Sequence, residues 1–483
     1  MELKITEIII VVLYFAAMLG IGVWANKSTK TESGFWVSSR DVGHWMIGLC
    51  FFSAGASGSL MMSNPGFALK AGLAGIITMI SAITVSYLLS VTLVASQIRK
   101  MGKYTVVDLL EMRYGAKLLS GLSSIVVVVA FLFYIAVQVK AGGMIGAYLF
   151  NISFAKAAAI MTIVFVLYVA IGGMKSVTLT ETIQAVLMLA IMILLTVTIF
   201  VKEGGFSTLF AETVSKVPFY GGLNPQFPYL ALLGLFVTWF TMGIVAPHFV
   251  MRTLSARDGT TARKGILIGA VVTGLFASLY ILAVSLAEGA YFFGMKDTDQ
   301  AWLNVISKYF SPTMVGFTLA GVMAAVMSTT AAQLLACSAS IVNDFYHKIL
   351  NTQASEKSLV ALGRVFVVVV AVVAFGIAMS ETHIMTLIVT TATGFLASAF
   401  FFPIVLGIWW KRMNKHGAAW GAICGFVIYG LVYALKILPT GETLIALPIS
   451  GIVSFTVCLM TSPPPESITK MQTSWHEGDS TAS

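Results

Sequence analysis

Apolar runs of twenty or more residues, separated by short polar stretches, recur from one end of the chain to the other. Each is long enough to cross about 30 Å of hydrocarbon as a helix. They predict spans at about 5–25, 46–69, 73–97, 118–149, 154–173, 182–201, 228–250, 265–292, 313–344, 365–380, 384–410, 417–435 and 442–461. The expectation is thirteen membrane helices over residues 1–461, with the longest outer connection at about 202–228. The first run lacks a basic leader and a small-residue cleavage pattern and reads as a retained span. The polar stretch 462–483 opens on three consecutive prolines after Ser462 and reads as a disordered tail.

Composition agrees with this pattern. Of 483 residues, 58% are hydrophobic and 10% charged, more apolar surface than a soluble chain of this length can bury. The lipid bilayer is therefore one partner. The formal net charge of +9 invites a nucleic-acid reading, but the placement of the charge argues against it. Of the 29 Lys and Arg, 20 fall on the side holding the 99–117, 251–264 and 346–364 loops, eight on the other, and Lys140 within a span. By the positive-inside rule the N-terminus lies outside the cell membrane and the C-terminus in the cytoplasm. Cys50, Cys337, Cys424 and Cys458 all sit in apolar segments and suggest neither a disulfide framework nor a zinc site. There is no phosphate-binding loop and no H-E-x-x-H metal motif, so neither an ATP-driven pump nor a membrane protease is expected, and no other enzyme is. No cofactor is called for.

Three spans carry residues that a purely structural helix avoids. The second holds "SAGASGSLMMSNPG", Ser53 to Gly66, dense in small, hydroxylic and helix-breaking residues. Close helix packing explains such a stretch, and so does unwound backbone lining a cavity. The seventh holds "TWFTMGIVAPHF", where Gly243 and Pro247 can interrupt the helix beside Trp239. Two interrupted spans five apart fit an inverted-repeat transporter with a midplane site. The ninth holds Ser328, Thr329 and Thr330 in an apolar setting, with Ser338 and Ser340 further along. Hydroxyl oxygens suit a small hard cation, although Ser and Thr also bond their own helix carbonyls.

At these residues the chain resembles the sodium/solute symporter family, most closely its bacterial sodium/proline branch. The resemblance is carried by "LAGVMAAVMSTTAAQLLACSASIVNDFYHKIL" (Leu319 to Leu350), "FWVSSRDVG" (Phe35 to Gly43), "VVDLLEMRYG" (Val106 to Gly115), "IGGMKSVTLTETIQA" (Ile171 to Ala185) and "TWFTMGIVAPHFVMR" (Thr238 to Arg252), in family order. It implies an all-α, thirteen-span, LeuT-like fold with inverted five-helix repeats at about 46–201 and 228–410. It also implies a sodium site at the Ser53, Ala56 and Ala325 carbonyls and the Ser328 and Thr329 hydroxyls. The substrate positions implied are Gly58, Gln138, Trp239 and Gly243. Several of these depart from the family pattern. Gly55 stands where the branch has an aspartate, Ser59 where it has a tryptophan, and Gln138 and Gly243 where it has tyrosines. The coupling ligands look retained while the solute pocket is rebuilt, so proline is not carried over. Glu181 replaces a family aspartate linked to sodium-dependent transport; a carboxylate there can attract a cation, pair with a base, or sit at a helix start.

Lys140 lies ten residues before Phe150, about 15 Å from the outer end of its helix. A lysine so deep costs at least roughly 2.5–3.5 kcal/mol to insert and needs a partner or water. Ala136, Gly143 and Ala147 share its face, and it is turned by about 200° from Gln138. Three roles stay open: contact with an anionic solute, a structural or gating ion pair, or a resident charge that modifies coupling. Glu181 is the first candidate partner.

The expected function is sodium-coupled symport of a small polar organic solute into the cell, an amino acid or small carboxylate, with Na+ as the coupling ion. Proton coupling on the same fold is one alternative, and a channel or non-transporting sensor is another. Sequence leaves the oligomeric state open.

Overall fold

The computed structural model describes residues 4–25, 40–101, 105–115, 117–225, 227–295, 298–380 and 384–476. Among them the chain is helical throughout, with one isolated parallel bridge between Val42 and Ala256. The helices used below are α1 (Ile5–Ala25), α2 (His44–Gly55), α3 (Ser59–Ala71), α4 (Leu73–Leu93), α5 (Val106–Tyr114) and α6 (Lys117–Phe150). There follow α7 (Phe154–Lys202), α8 (Phe206–Lys216), α9 (Tyr229–Trp239), α10 (Pro247–Ser255), α11 (Gly259–Phe292) and α12 (Thr298–Tyr309). The last are α13 (Pro312–Leu350), α14 (Glu356–Ser380), α15 (Met385–Trp409), α16 (Lys415–Ala434), α17 (Glu442–Met460) and α18 (Glu466–Ser474).

Among the described residues ten helices are long and apolar enough to cross a membrane, eleven with the bent pair α2/α3 taken as one. The expected count of thirteen includes two shorter apolar stretches, Ile5–Ile21 and Phe154–Ala170. The chain is a multi-pass membrane protein.

Both predicted interruptions are present. The axes of α2 and α3 meet at 57°, and the first turn of α3 is wound as a π-helix over Ser59–Ser63. The seventh run divides into α9, a single turn at Met242–Val245, and α10, whose first residue is Pro247. Proline suits a helix start, where its missing N–H has no intrahelical acceptor.

The runs at 154–173 and 182–201 both lie in α7, as the apolar stretch Phe154–Ala170 and the span Val177–Lys202. The Tyr168 and Thr180 hydroxyls are in contact. One expectation needs correction, that of a disordered tail: α18 docks onto the end of α15. The Gln472 amide donates to the Ile408 carbonyl at 2.7 Å, and Trp475 is buried. Ile468, Met471 and Trp475 recur at helical spacing, an apolar stripe that the polar residues around it obscured. Residues 477–483 lie outside the described residues.

α6, α13 and α15 are buried over much of their length and surround the α2/α3 break. This is the region where the candidate residues converge.

Candidate functional site at the helix break

Between α2 and α3 the backbone leaves the helix at Ala56, and the Ser57 N–H turns back to the Gly55 carbonyl at 2.9 Å. The Gly58 N–H, released from the helix ladder, donates to Gln138 Oε1 on α6 at 3.1 Å. Only glycine fits there. A Cβ would lie 2.8 Å from both Ala141 Cβ on α6 and Val326 Cγ2 on α13.

One turn before the break, α13 faces the end of α2. Ser328 Oγ donates to the Ser53 and Ala325 carbonyls, both at 3.1 Å, and Thr329 Oγ1 reaches the Ala54 carbonyl at 3.5 Å. Ser328 and Thr329 are fully buried, and Ser53 Oγ beside them is buried without a hydrogen-bond partner. Four of the five expected sodium ligands are thus brought together, with Ala54 added. Ala56 stands two residues further along, its N–H bonded to the Phe52 carbonyl at 2.8 Å. Converging carbonyl and hydroxyl oxygens form a donor set suited to a hard monovalent cation.

The four substrate candidates divide. Gly58 and Gln138 are joined directly, and Gln138 Nε2 is left buried with no partner. Trp239 turns to α15, where its indole N–H donates to Thr390 Oγ1 at 3.1 Å. Gly243 turns to α4: its N–H donates to Ser86 Oγ at 2.6 Å, and a Cβ would meet Ser86 and Tyr87. The break at Phe240 and Thr241 separates two residues that a regular helix would stack on one face.

Sequence reasoning missed the element that links Trp239 to the break. Thr390 Oγ1 donates to the Thr386 carbonyl at 2.8 Å, and the Thr386 hydroxyl lies 3.4 Å from Ser59 Oγ and 2.9 Å from Ser63 Oγ. The hydroxyls in "TLIVTTATG" are as unusual in an apolar span as Ser328 and Thr329, and that signal was available. His248 was also missed. It packs against Phe131 and Tyr134 of α6, and both ring nitrogens are buried without partners.

The ion pairs differ from expectation. Glu181 is held by Arg252, with Nε to Oε2 at 3.2 Å and Nη2 in contact with Oε1, and both side chains are fully buried. Lys140 instead lies 3.5 Å from Asp299 on α12. Depth explains the correction. Glu181 is 21 residues from Lys202, about 32 Å from the membrane face that Lys140 approaches within about 15 Å. The ends of α6 and α7 do share that face: the Tyr148 hydroxyl meets Ser307 Oγ at 2.9 Å, and Lys202 Nζ donates to the Tyr309 carbonyl at 2.7 Å.

Comparison with known proteins fits this geometry. The Sodium:solute symporter family pattern matches residues 35–425. The chain belongs to the sodium:solute symporter family. It is 30% identical to the high-affinity proline transporter PutP of Bacillus subtilis (strain 168) over 427 residues, covering 85% of this chain and 88% of that one. It is 30% identical to the sodium/proline symporter of Escherichia coli (strain K12) over 435 residues, 85% and 84% of the two chains. A Na+-coupled sialic acid symporter in a substrate-bound, outward-open state superposes with a TM-score of 0.78 at 18% identity, covering 95% of this chain and 98% of that one. That likeness extends the LeuT-like architecture over nearly the whole chain. Members of this family are transporters, and this chain couples Na+ to the symport of a small organic solute.

Proposed function

We propose that the coupling sodium sits between α2 and α13, on the carbonyls of Ser53, Ala54 and Ala325 and the hydroxyls of Ser328 and Thr329, and drives uptake of an amino acid or small carboxylate into the cell. The observation that carries this reading is the convergence of those oxygens from two helices in a buried setting. An ion bridging α2 to α13 holds the broken helix in the geometry that presents Gly58 and Gln138, so sodium binding favours the solute-ready state.

The solute site lies on the other side of the break. Gln138 holds the Gly58 N–H through Oε1 and leaves Nε2 without a partner, His248 of α10 packs nearby against Phe131 and Tyr134 of α6, and Trp239 is tied in through Thr390, Thr386 and Ser59. Buried donors without partners favour a polar ligand that satisfies them. Gln138, in place of a tyrosine of the proline branch, gives this pocket its own chemistry. The solute is therefore assigned by class and not as proline. The excess of Lys and Arg on one side supports an external N-terminus and cytoplasmic C-terminus in the cell membrane.

A thermal-shift screen of amino acids and small carboxylates on the purified protein, with and without sodium, identifies the solute, and uptake of each hit into liposomes tests transport. Replacing sodium by choline at fixed pH should abolish accumulation. Accumulation that persists in choline and collapses with an uncoupler would replace sodium with protons as the driving ion.

A further inference from the structure

The helix order repeats across the molecule. A broken segment (α2/α3), a long helix (α4), a short helix (α5) and a long buried helix (α6) are followed later by a broken segment (α9/α10), a long helix (α11), a short helix (α12) and a long buried helix (α13). Because five spans separate the two sets, they run in opposite senses through the membrane, and α5 and α12 lie on opposite faces. Lysines cross this relation. Lys140, on α6 of the first set, meets Asp299 on the short helix of the second at 3.5 Å. Lys348, on α13 of the second set, meets Asp108 and Glu111 on the short helix of the first at 2.5 and 2.8 Å, with Asp344 of its own helix at 3.0 Å.

From this we infer that the two clusters are reciprocal gate locks: Lys140–Asp299 closes the outer side of the solute path, and Lys348 with Asp108, Glu111 and Asp344 closes the inner side. The inference rests on the sodium-coupled uptake proposed above, with a solute path that opens to one side of the membrane at a time. Each lock ties the elements that must part for its side to open. Asp299 Oδ2 also accepts the N–H of Met385, the first residue of α15, at 3.2 Å, so the outer lock gathers α6, α12 and α15. On the inner side Asp108 caps α5 by accepting the Thr105 N–H at 3.0 Å, and the Thr105 hydroxyl donates to both Asp344 oxygens at 3.0–3.1 Å. Solvent contact separates these pairs from the third. Asp299 and Asp344 are fully buried, but the Lys140 and Lys348 side chains are 14% and 17% exposed, so water can reach the lysine end of each lock as a gate opens. Arg252 and Glu181 are 1% and 0% exposed and have no such route, which marks them as a fixed strut.

The test uses full-length protein in liposomes, reading sodium-dependent hydrogen–deuterium exchange and the sodium half-saturation for uptake. Lys140→Met and Asp299→Asn should each speed exchange in α12 and the start of α15 and lower the external sodium half-saturation by about threefold or more, a population shift toward the outward-open form. Lys348→Met should speed exchange in α5 and the end of α13 and move the half-saturation the opposite way. The charge-reversed pair Lys140→Asp with Asp299→Lys should recover wild-type values, which a mere folding defect in the single variants would not allow. Shifts of the same sign from both locks, or no recovery in the reversed pair, overturn the inference. A wild-type protein whose exchange ignores sodium would instead overturn the transport reading on which it rests.

Discussion

Arg252 grips Glu181 with two guanidinium nitrogens and spends a third, Nη1, on the His248 carbonyl of its own helix at 2.6 Å. The carboxylate is thereby committed to a base, which leaves the cation-attracting role for Glu181 without a free oxygen pair. Removing one partner of such a buried pair strands the other charge, at about 3–5 kcal/mol. Arg252→Met should therefore lower the melting temperature of the detergent-purified protein sharply. Glu181→Gln should cost less, because a neutral amide can still accept from Arg252. Equal melting temperatures for wild type and Arg252→Met would show that the pair carries no structural weight.

Thr329 offers a sharper test of the proposed sodium site than Ser328, since among the described residues its hydroxyl bonds outside its own helix only to the Ala54 carbonyl, and weakly at 3.5 Å. Thr329→Ala should barely affect folding but raise the sodium half-saturation for uptake about tenfold, or ~1.4 kcal/mol. Thr330 is the control: its hydroxyl is bonded back to the Val326 carbonyl at 2.5 Å, so Thr330→Ala should leave sodium activation unchanged. Identical sodium curves for Thr329→Ala and wild type would remove Thr329 from the site.

The architecture was legible because bilayer thickness fixes the length of an apolar run and because breaks announce themselves through Gly, Pro and Ser. The hydroxyls of Ser328 and Thr329 were legible for the same reason, as polar groups where polarity is expensive. Asp299 and Arg252 were not. Asp299 lies in the polar stretch "GMKDTDQAW", and Arg252 was counted among the basic residues of a loop. Both looked like solvated charges, yet the fold leaves their side chains 0% and 1% exposed. Partner choice depends on depth in the membrane, and a sequence shows depth only once helix ends are placed. The same blindness hid Gly243, whose surroundings are set by a helix break and not by helical spacing.

Glu203, just beyond the end of α7, gives a pH-dependent prediction. Burial raises its pKa, but hydrogen bonds from the Tyr291 and Tyr309 hydroxyls and the charge of Lys308 at 3.6 Å outweigh this and hold it below the ordinary value. A depressed carboxylate pKa contributes stability that is complete above the unfolded value of about 4.3 and lost as pH falls through the folded one. Melting temperature should therefore decline below about pH 4.5. Glu203→Gln should flatten that part of the profile while lowering the plateau at neutral pH. A variant whose acid limb matches wild type would exclude Glu203 as a contributor.

Gly58 and Gly243 should respond differently to the same small change. At Gly58 a Cβ would be pressed to 2.8 Å from Ala141 and Val326, on two separate helices that cannot both retreat without moving the break. Overpacking of this kind costs about 1–3 kcal/mol, and here the strain would fall on the backbone that carries the Gln138 contact and adjoins the proposed sodium ligands. Gly58→Ala should reduce uptake strongly and raise the half-saturation for both sodium and solute. At Gly243 the nearest atoms to a Cβ are Ser86 Oγ at 3.0 Å and the Ser86 carbonyl at 3.1 Å, a tighter contact than usual but not a clash. Gly243→Ala should change solute half-saturation modestly and leave sodium activation as it is. Uptake kinetics for the two variants side by side check this, and a Gly58→Ala protein with wild-type sodium dependence would break the link drawn between the helix break and the coupling ion.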